Sequence, residues 1–150
     1  MITKFTYFYE TNSNIKIKKI VEEDRIIIKA IINGEEVAHL DMEIMVSAYW
    51  YFNDDFTEDE YNEMFPDDEL VIFQMMRVED KYKRGGIAVV LMRRALEEVE
   101  KLGYKEVYLN ACPIGTTGLQ LNDLVKFYEY FDFKPVLHQE NNVQMLLSLR

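Results

Sequence analysis

The amino-acid sequence predicts a mixed α/β fold, a mostly antiparallel sheet with one central parallel strand pair and flanking helices. Three observations carry this. The N-terminal third alternates apolar and polar residues in short runs, as strands with one solvated face do. Asn33-Gly34 divides two of these runs, and that dipeptide suits the positive φ angles of a type I′ hairpin turn. Further on, the apolar run Leu70–Val78 leads through a glycine turn into an amphipathic helix and then a second apolar run, the layout of a crossover between parallel strands.

Lys4 to Tyr9 places Phe5, Tyr7 and Tyr9 on one side, and Ile15 to Val21 alternates around Lys16 and Lys18, so both read as strands. Arg25–Ile32 and Glu35–Val46 form the hairpin arms. On the second arm Leu40, Met42, Ile44 and Val46 face one way and His39, Asp41 and Glu43 the other. That polar row has the residue types of a metal site, but two-residue spacing is also what a wet outer face looks like, and no metal is expected. Ser47 to Phe56 is aromatic, with Tyr49, Trp50, Tyr51, Phe52 and Phe56. Thr57 with Glu60 then makes a capping box, which predicts a short helix from Glu58 to about Met64, before Pro66.

Leu70–Val78 has only Gln74 and Arg77 as polar residues and reads as a strand buried on both faces. Lys83-Arg84-Gly85-Gly86 follows. The helix after it buries Ala88, Leu91, Ala95, Val99 and Leu102, with Gly103 at the left-handed C-terminal position. Glu106 to Cys112 is a second buried strand, Pro113 to Gln120 a loop, and Leu121, Leu124, Val125, Tyr128 and Phe131 mark another helix. Lys134–Leu137 and Val143–Leu149 complete the set as strands around a polar turn.

One domain is expected at 150 residues. No run approaches the roughly 18 apolar residues of a membrane span, the start MITKFTYFYE lacks a signal-peptide core, and the single Cys112 forms no internal disulfide; together these predict a cytoplasmic protein. A net charge of -10 argues against nucleic acid, whose binding needs neutralising cations. The charge is also localised. Asn53 to Glu69 holds nine Asp or Glu and no Lys or Arg; without those nine, the remaining acids nearly balance the 17 Lys and Arg. This flap reads either as a solvated helix with its aromatics tucked into the core or as one wall of a pocket for an ammonium-bearing substrate, where carboxylates and aromatic faces attract cations.

A glycine turn opening a helix leaves backbone N–H groups aimed outward at the positive end of the helix dipole, which suits a phosphate. The stretch Val78 to Ala88, VEDKYKRGGIA, resembles the acetyl-CoA signature of the GNAT family of N-acetyltransferases, with Lys83, Gly86 and Ala88 on its Arg/Gln, first Gly and Gly/Ala positions. Lys83 replaces the usual Arg or Gln, and Arg84 a small residue; both keep positive charge there. Leu124 to Val136, LVKFYEYFDFKPV, resembles the family's second signature, with Tyr128 and Phe133 in place and Asp132 for the usual glycine. The two stretches cover under half of the chain, in the family's order.

The resemblance implies a GNAT-like sheet whose central parallel strands splay around CoA, and direct transfer of an acetyl group from acetyl-CoA, as cosubstrate, to a primary amine. It places backbone groups of Met76 and Val78 on the pantetheine arm and the amides of Arg84, Gly85, Gly86, Ile87 and Ala88, with Lys83 beside them, around the pyrophosphate. Asn122 either caps the second helix or touches CoA. Tyr128 becomes the general acid for the leaving thiolate, although a tyrosine on an apolar stripe is otherwise a core residue. Glu79, Glu69 and Asp68, or a water chain, are candidates for taking the ammonium's proton. Cys112 lies either near the thioester or in the core as an apolar filler. The acceptor amine belongs to a small molecule or a protein, no membrane is engaged, and a homodimer is left open. The two helices that the family places between its first two strands have no counterpart in the sequence. The rival reading is a non-catalytic CoA-binding or acidic protein-interaction module on the same fold.

Overall fold

The computed structural model describes residues 14–82, 86–113 and 119–150, and residues 4–10 as a backbone strand. Its elements run β1 (Lys4–Glu10), β2 (Lys16–Glu22), β3 (Arg25–Ile32), β4 (Glu35–Val46), α1 (Tyr49–Phe52), α2 (Glu58–Met64), β5 (Glu69–Val78), a 3-10 turn (Asp80–Tyr82), α3 (Ile87–Leu102), β6 (Glu106–Ala111), α4 (Leu121–Glu129), β7 (Lys134–His138) and β8 (Val143–Ser148). The strands make a mixed, mostly antiparallel arrangement. Its one parallel pair is β5 with β6, joined through α3. No described helix is long and apolar enough to cross a membrane. The chain divides into two compact units, Met1–Ile44 with Phe73–Gly103 and Met45–Ile72 with Tyr104–Arg150.

In the first unit β1, β2, β3 and β4 pair in sequence as antiparallel neighbours, and the end of β5 follows β4. Asn33 and Gly34 take φ 52 and 81, the left-handed pair the β3–β4 turn requires. Ile26, Ile28 and Ala30 of β3 are buried with Leu40 and Met42 of β4, and α3, which packs on β3, buries Leu91, Met92, Ala95 and Val99. α3 also buries an acid. Glu98 is 3% exposed and its Oε2 accepts from Lys19 Nζ at 2.7 Å, which a search for apolar periodicity passes over. Leu102, expected in the core, is exposed because α3 ends there, Gly103 turning the chain away at φ 85. The other face of β3 and β4 is wet. Arg25 pairs with Asp41 at 2.8 Å, Lys29 with Glu36 at 2.7 Å, and Gln74 Nε2 donates to Glu43 at 2.7 Å.

In the second unit the start of β5, β6, β8 and β7 lie in that order. Phe52, Phe56, Tyr61, Phe65, Leu70, Ile72 and Tyr108 form one aromatic-rich core cluster. Thr57 caps α2 as expected, its Oγ1 accepting from the Glu60 amide while Glu60 Oε1 accepts from the Thr57 amide. Residues 47–68 leave and rejoin the strands at one point. Ser47 and Asp68 both take left-handed φ, 50 and 55, and the Ser47 amide donates to the Asp68 carbonyl at 3.0 Å. α1 is a single turn that no capping signal announced. No helix lies between β1 and β2 among the described residues, and α1 and α2 stand between β4 and β5 instead.

Candidate functional site

β5 changes character along its length. Leu70, Val71, Ile72 and Phe73 are buried, but Gln74, Met75 and Arg77 are exposed and Met76 and Val78 are half-buried. The expectation of a strand buried on both faces therefore holds for its first half only. An apolar run reads the same in sequence whether protein covers it or not, and here protein leaves Met75 46% exposed. Met76 and Val78, the two positions expected to meet a pantetheine arm by their backbones, lie on this open half.

Past β5 the Glu79 amide donates to the Val37 carbonyl at 2.9 Å, holding the turn against β4. Lys83, Arg84 and Gly85 lie outside the described residues. Gly86 sits at the N-cap position of α3 at φ 82, in the left-handed region that disfavours any Cβ, and open space faces the side where a Cβ would stand. Among the described residues no side chain caps α3, and the first-turn amides of Ile87 and Ala88 have no intrahelical partner. An uncapped N-terminus on a helix of 16 residues, entered by a glycine whose front is clear, suits an anion.

In the second unit Tyr128 stands on α4, its ring against Phe127 and Phe133. Burial pushes its phenol up to about 12. Asp132 takes φ 72, the left-handed geometry for which the family uses glycine. α4 has no fully buried residue, and its apolar stripe of Leu121, Leu124, Val125 and Tyr128 is half-covered. Asn122 does not cap this helix: Gln120 occupies the N-cap without a side-chain bond, and Asn122 is an exposed residue of the first turn. Cys112 is not a core filler, since β6 ends at Ala111 and the thiol is exposed.

The candidate bases are dispersed. Asp68 already accepts the Tyr61 O–H at 2.6 Å. Glu69 opens β5 and Glu79 lies just beyond its end, roughly 30 Å apart along extended chain, so a single reaction centre accommodates at most one of them. Glu79 lines a cavity of about 290 Å³ with Glu36, His39 and Arg77. A larger cavity of about 510 Å³, between β7 residues and Leu146 and Ser148, contains none of the expected site residues. Among the described residues no group of three or more His, Cys, Asp or Glu could hold a metal.

One polar network escaped the sequence. The buried Tyr108 O–H donates to Gln144 Oε1 at 2.7 Å, and Gln144 Nε2 donates to Asp55 Oδ2 at 2.8 Å, tying the acidic segment to β8. Its only signal was one amide inside the otherwise apolar run of β8.

No protein-family model matches the sequence, and no curated protein matches it. Solved structures do. A polyamine N-acetyltransferase from Drosophila melanogaster that forms N-acetylagmatine is similar at TM-score 0.64 and 12% identity, over 82% of this chain and 74% of that one. The PaiA N-acetyltransferase from Thermoplasma acidophilum, in complex with coenzyme A, is similar at 0.54 and 13%, over 83% of this chain; the chain spans 61% of its length. Naa50 from Arabidopsis thaliana, in complex with a bisubstrate analogue of CoA and a peptide, gives 0.56 and 17%, over 85% and 74%. The fold is that of the GNAT N-acetyltransferases.

Proposed function

We propose that this GNAT fold serves here as an acyl-CoA-dependent N-acyltransferase, moving an acetyl group from acetyl-CoA to a primary amine of the cationic kind that the acidic segment attracts at long range. The observation that carries the reading is the N-terminus of α3, uncapped among the described residues, behind a Gly86 with open space on its Cβ side and after a strand whose second half is only partly buried. Ile87 and Ala88 would offer their amides to the pyrophosphate, with Gly86 letting it come close. Met76 and Val78 would offer backbone groups to the pantetheine arm from the half of β5 that is only partly buried.

Acetyl-CoA supplies a thioester, whose carbonyl the neutral amine attacks as the C–S bond breaks and the sulfur takes up charge. Tyr128 is assigned the proton for that sulfur. A phenol raised to about 12 stays protonated throughout the physiological range, so it is always present as donor, and it releases its proton only as negative charge builds at the acceptor. The ammonium of the incoming amine must first lose a proton, and Glu79 or Glu69 or a water chain takes it.

Support comes from the fold and from the resemblance of Val78 to Ala88 and Leu124 to Val136 to the family's two signatures. The test is direct: acetyl-CoA consumption measured against mono-, di- and polyamines and lysine peptides. Turnover with at least one amine, and CoA binding by calorimetry, are the expected results. CoA binding without turnover on any amine would favour the non-catalytic module.

A further inference from the structure

Among the exposed large apolar side chains of the second unit, which also include Leu119 and Tyr130, three stand close together in the chain. Val46, Trp50 and Tyr51 are 62%, 66% and 42% exposed. Trp50 and Tyr51 meet edge to face with ring centroids 5.9 Å apart. The single turn of α1 thus has two sides. Phe52 goes inward onto Tyr108, centroids 4.8 Å apart, while Trp50 faces mostly water and Tyr51, edge-on to Phe52 and Tyr108 at 5.0 and 6.5 Å, keeps part of its ring there, an aromatic pair of the kind enriched at contacts.

The chain that follows these rings, and the helix in contact with α1, are acidic. Asp54 follows α1 directly, and α2, which packs on α1, presents Glu58, Asp59 and Glu63 to solvent. Among the described residues none of these four carboxylates meets a cation. Several acids elsewhere do have cation partners: Glu98 with Lys19, Asp41 with Arg25, Glu36 with Lys29, and Asp67 and Glu106 with Arg150. No Lys or Arg occurs between Asn53 and Glu69 to repel a positive partner.

We propose that Trp50 and Tyr51 form a docking surface for a basic polypeptide segment, whose Lys and Arg side chains lie on the two rings and are drawn by the uncompensated carboxylates of Asp54, Glu58, Asp59 and Glu63. Charge complementarity sets the sign of the partner, and openness sets its size. A small amine is held by a concave site that encloses most of it, and rings this exposed would leave it in water. A chain carrying several cations sums many weak contacts, each a cation over an aromatic face or a screened ion pair. The surface goes beyond the acyltransfer reading and does not require it.

Trp50 is the chain's sole tryptophan, so its emission reports the event. The full chain is titrated with a short peptide of Lys, Arg, Gly and Ser, without acetyl-CoA. A saturable change of Trp50 emission is expected, weakening about tenfold as salt rises from roughly 0.05 to 0.3 M. Joint replacement Asp54→Asn, Glu58→Gln, Asp59→Asn and Glu63→Gln is expected to weaken it by a similar factor, whereas neutralising the exposed Glu100, Glu129 and Glu140 leaves it unchanged. Trp50→Ala with Tyr51→Ser, followed by polarisation of a labelled peptide, is expected to abolish saturable binding while circular dichroism stays as in the parent. An emission that ignores the peptide overturns the proposal, and so does equal weakening in both charge variants. Spermine reproducing the emission change and displacing the peptide would assign the face to small cations, and a change with protein concentration alone would assign it to a second copy; either overturns it. Turnover is measured separately, so docking without turnover removes only the acyltransfer reading, and turnover without docking removes only this one.

Discussion

Gly86 and Tyr128 carry the most at the scale of single residues. With φ at 82 and nothing in front of it, Gly86→Ala meets only the left-handed strain, about 1–2 kcal/mol, visible as a lower melting temperature. Gly86→Glu adds to the same strain a charge of the wrong sign for phosphate. Calorimetry on the pair is expected to show CoA affinity surviving in the alanine variant and lost in the glutamate variant; equal affinity in both moves the pyrophosphate elsewhere. Tyr128→Phe keeps the ring against Phe127 and Phe133 and removes only the hydroxyl. A fall of about 100-fold to 10,000-fold in kcat with unchanged melting is expected. Because the phenol lies near 12, the parent's kcat should show no inflection from it up to about pH 11, and a folded variant with full turnover would return Tyr128 to packing.

Among the elements, the join between the acidic segment and β8 is the most exposed to test. Gln144→Leu strands the hydroxyl of Tyr108, which is 4% exposed, and a buried unpaired group costs about 1–3 kcal/mol. Adding Tyr108→Phe removes the stranded group, so chemical denaturation should find the double variant more stable than Gln144→Leu alone. If the two lose stability additively, the bond carries no coupling. Elements with local chemical markers were legible in the sequence: the Asn33-Gly34 hairpin, the Thr57 capping box, and α3 closed by Gly103. Those settled by distant partners were not. α1 has no cap and exists because Phe52 finds Tyr108, and the Lys19–Glu98 pair joins residues 79 positions apart. The candidate site divides in the same way. Its turn and its tyrosine stand in recognisable strings, whereas which carboxylate serves as base depends on spacing along β5, which no string records.

For the molecule as a whole, the tyrosines set an alkaline limit. Burial raises Tyr61 to about 12, with Asp68 adding to it, and raises Tyr108 and Tyr128 as well. Each is protonated in the folded chain at a pH where an unfolded tyrosine, near 10, has ionised. Their contribution is complete below pH 10 and lost as pH climbs toward 12, by about 1.4 kcal/mol per pH unit for each tyrosine. Unfolding free energy measured in urea between pH 9 and 11.5 should bend downward near pH 10, and Tyr61→Phe should soften the bend; a flat profile would mean that these phenols ionise without resisting. The neck of the 47–68 segment has a consequence of another kind. Its two ends share a hydrogen bond, and closing a loop of twice the length costs only about 0.6 kcal/mol more, so the strands on either side tolerate added length there, provided that Phe52, Phe56, Tyr61 and Phe65 still fill the core beside Leu70 and Ile72. A lineage is thereby free to lengthen or recharge the exposed stretches between Ser47 and Asp68 and so change the company its proteins keep, while the four inward rings keep the scaffold beneath intact.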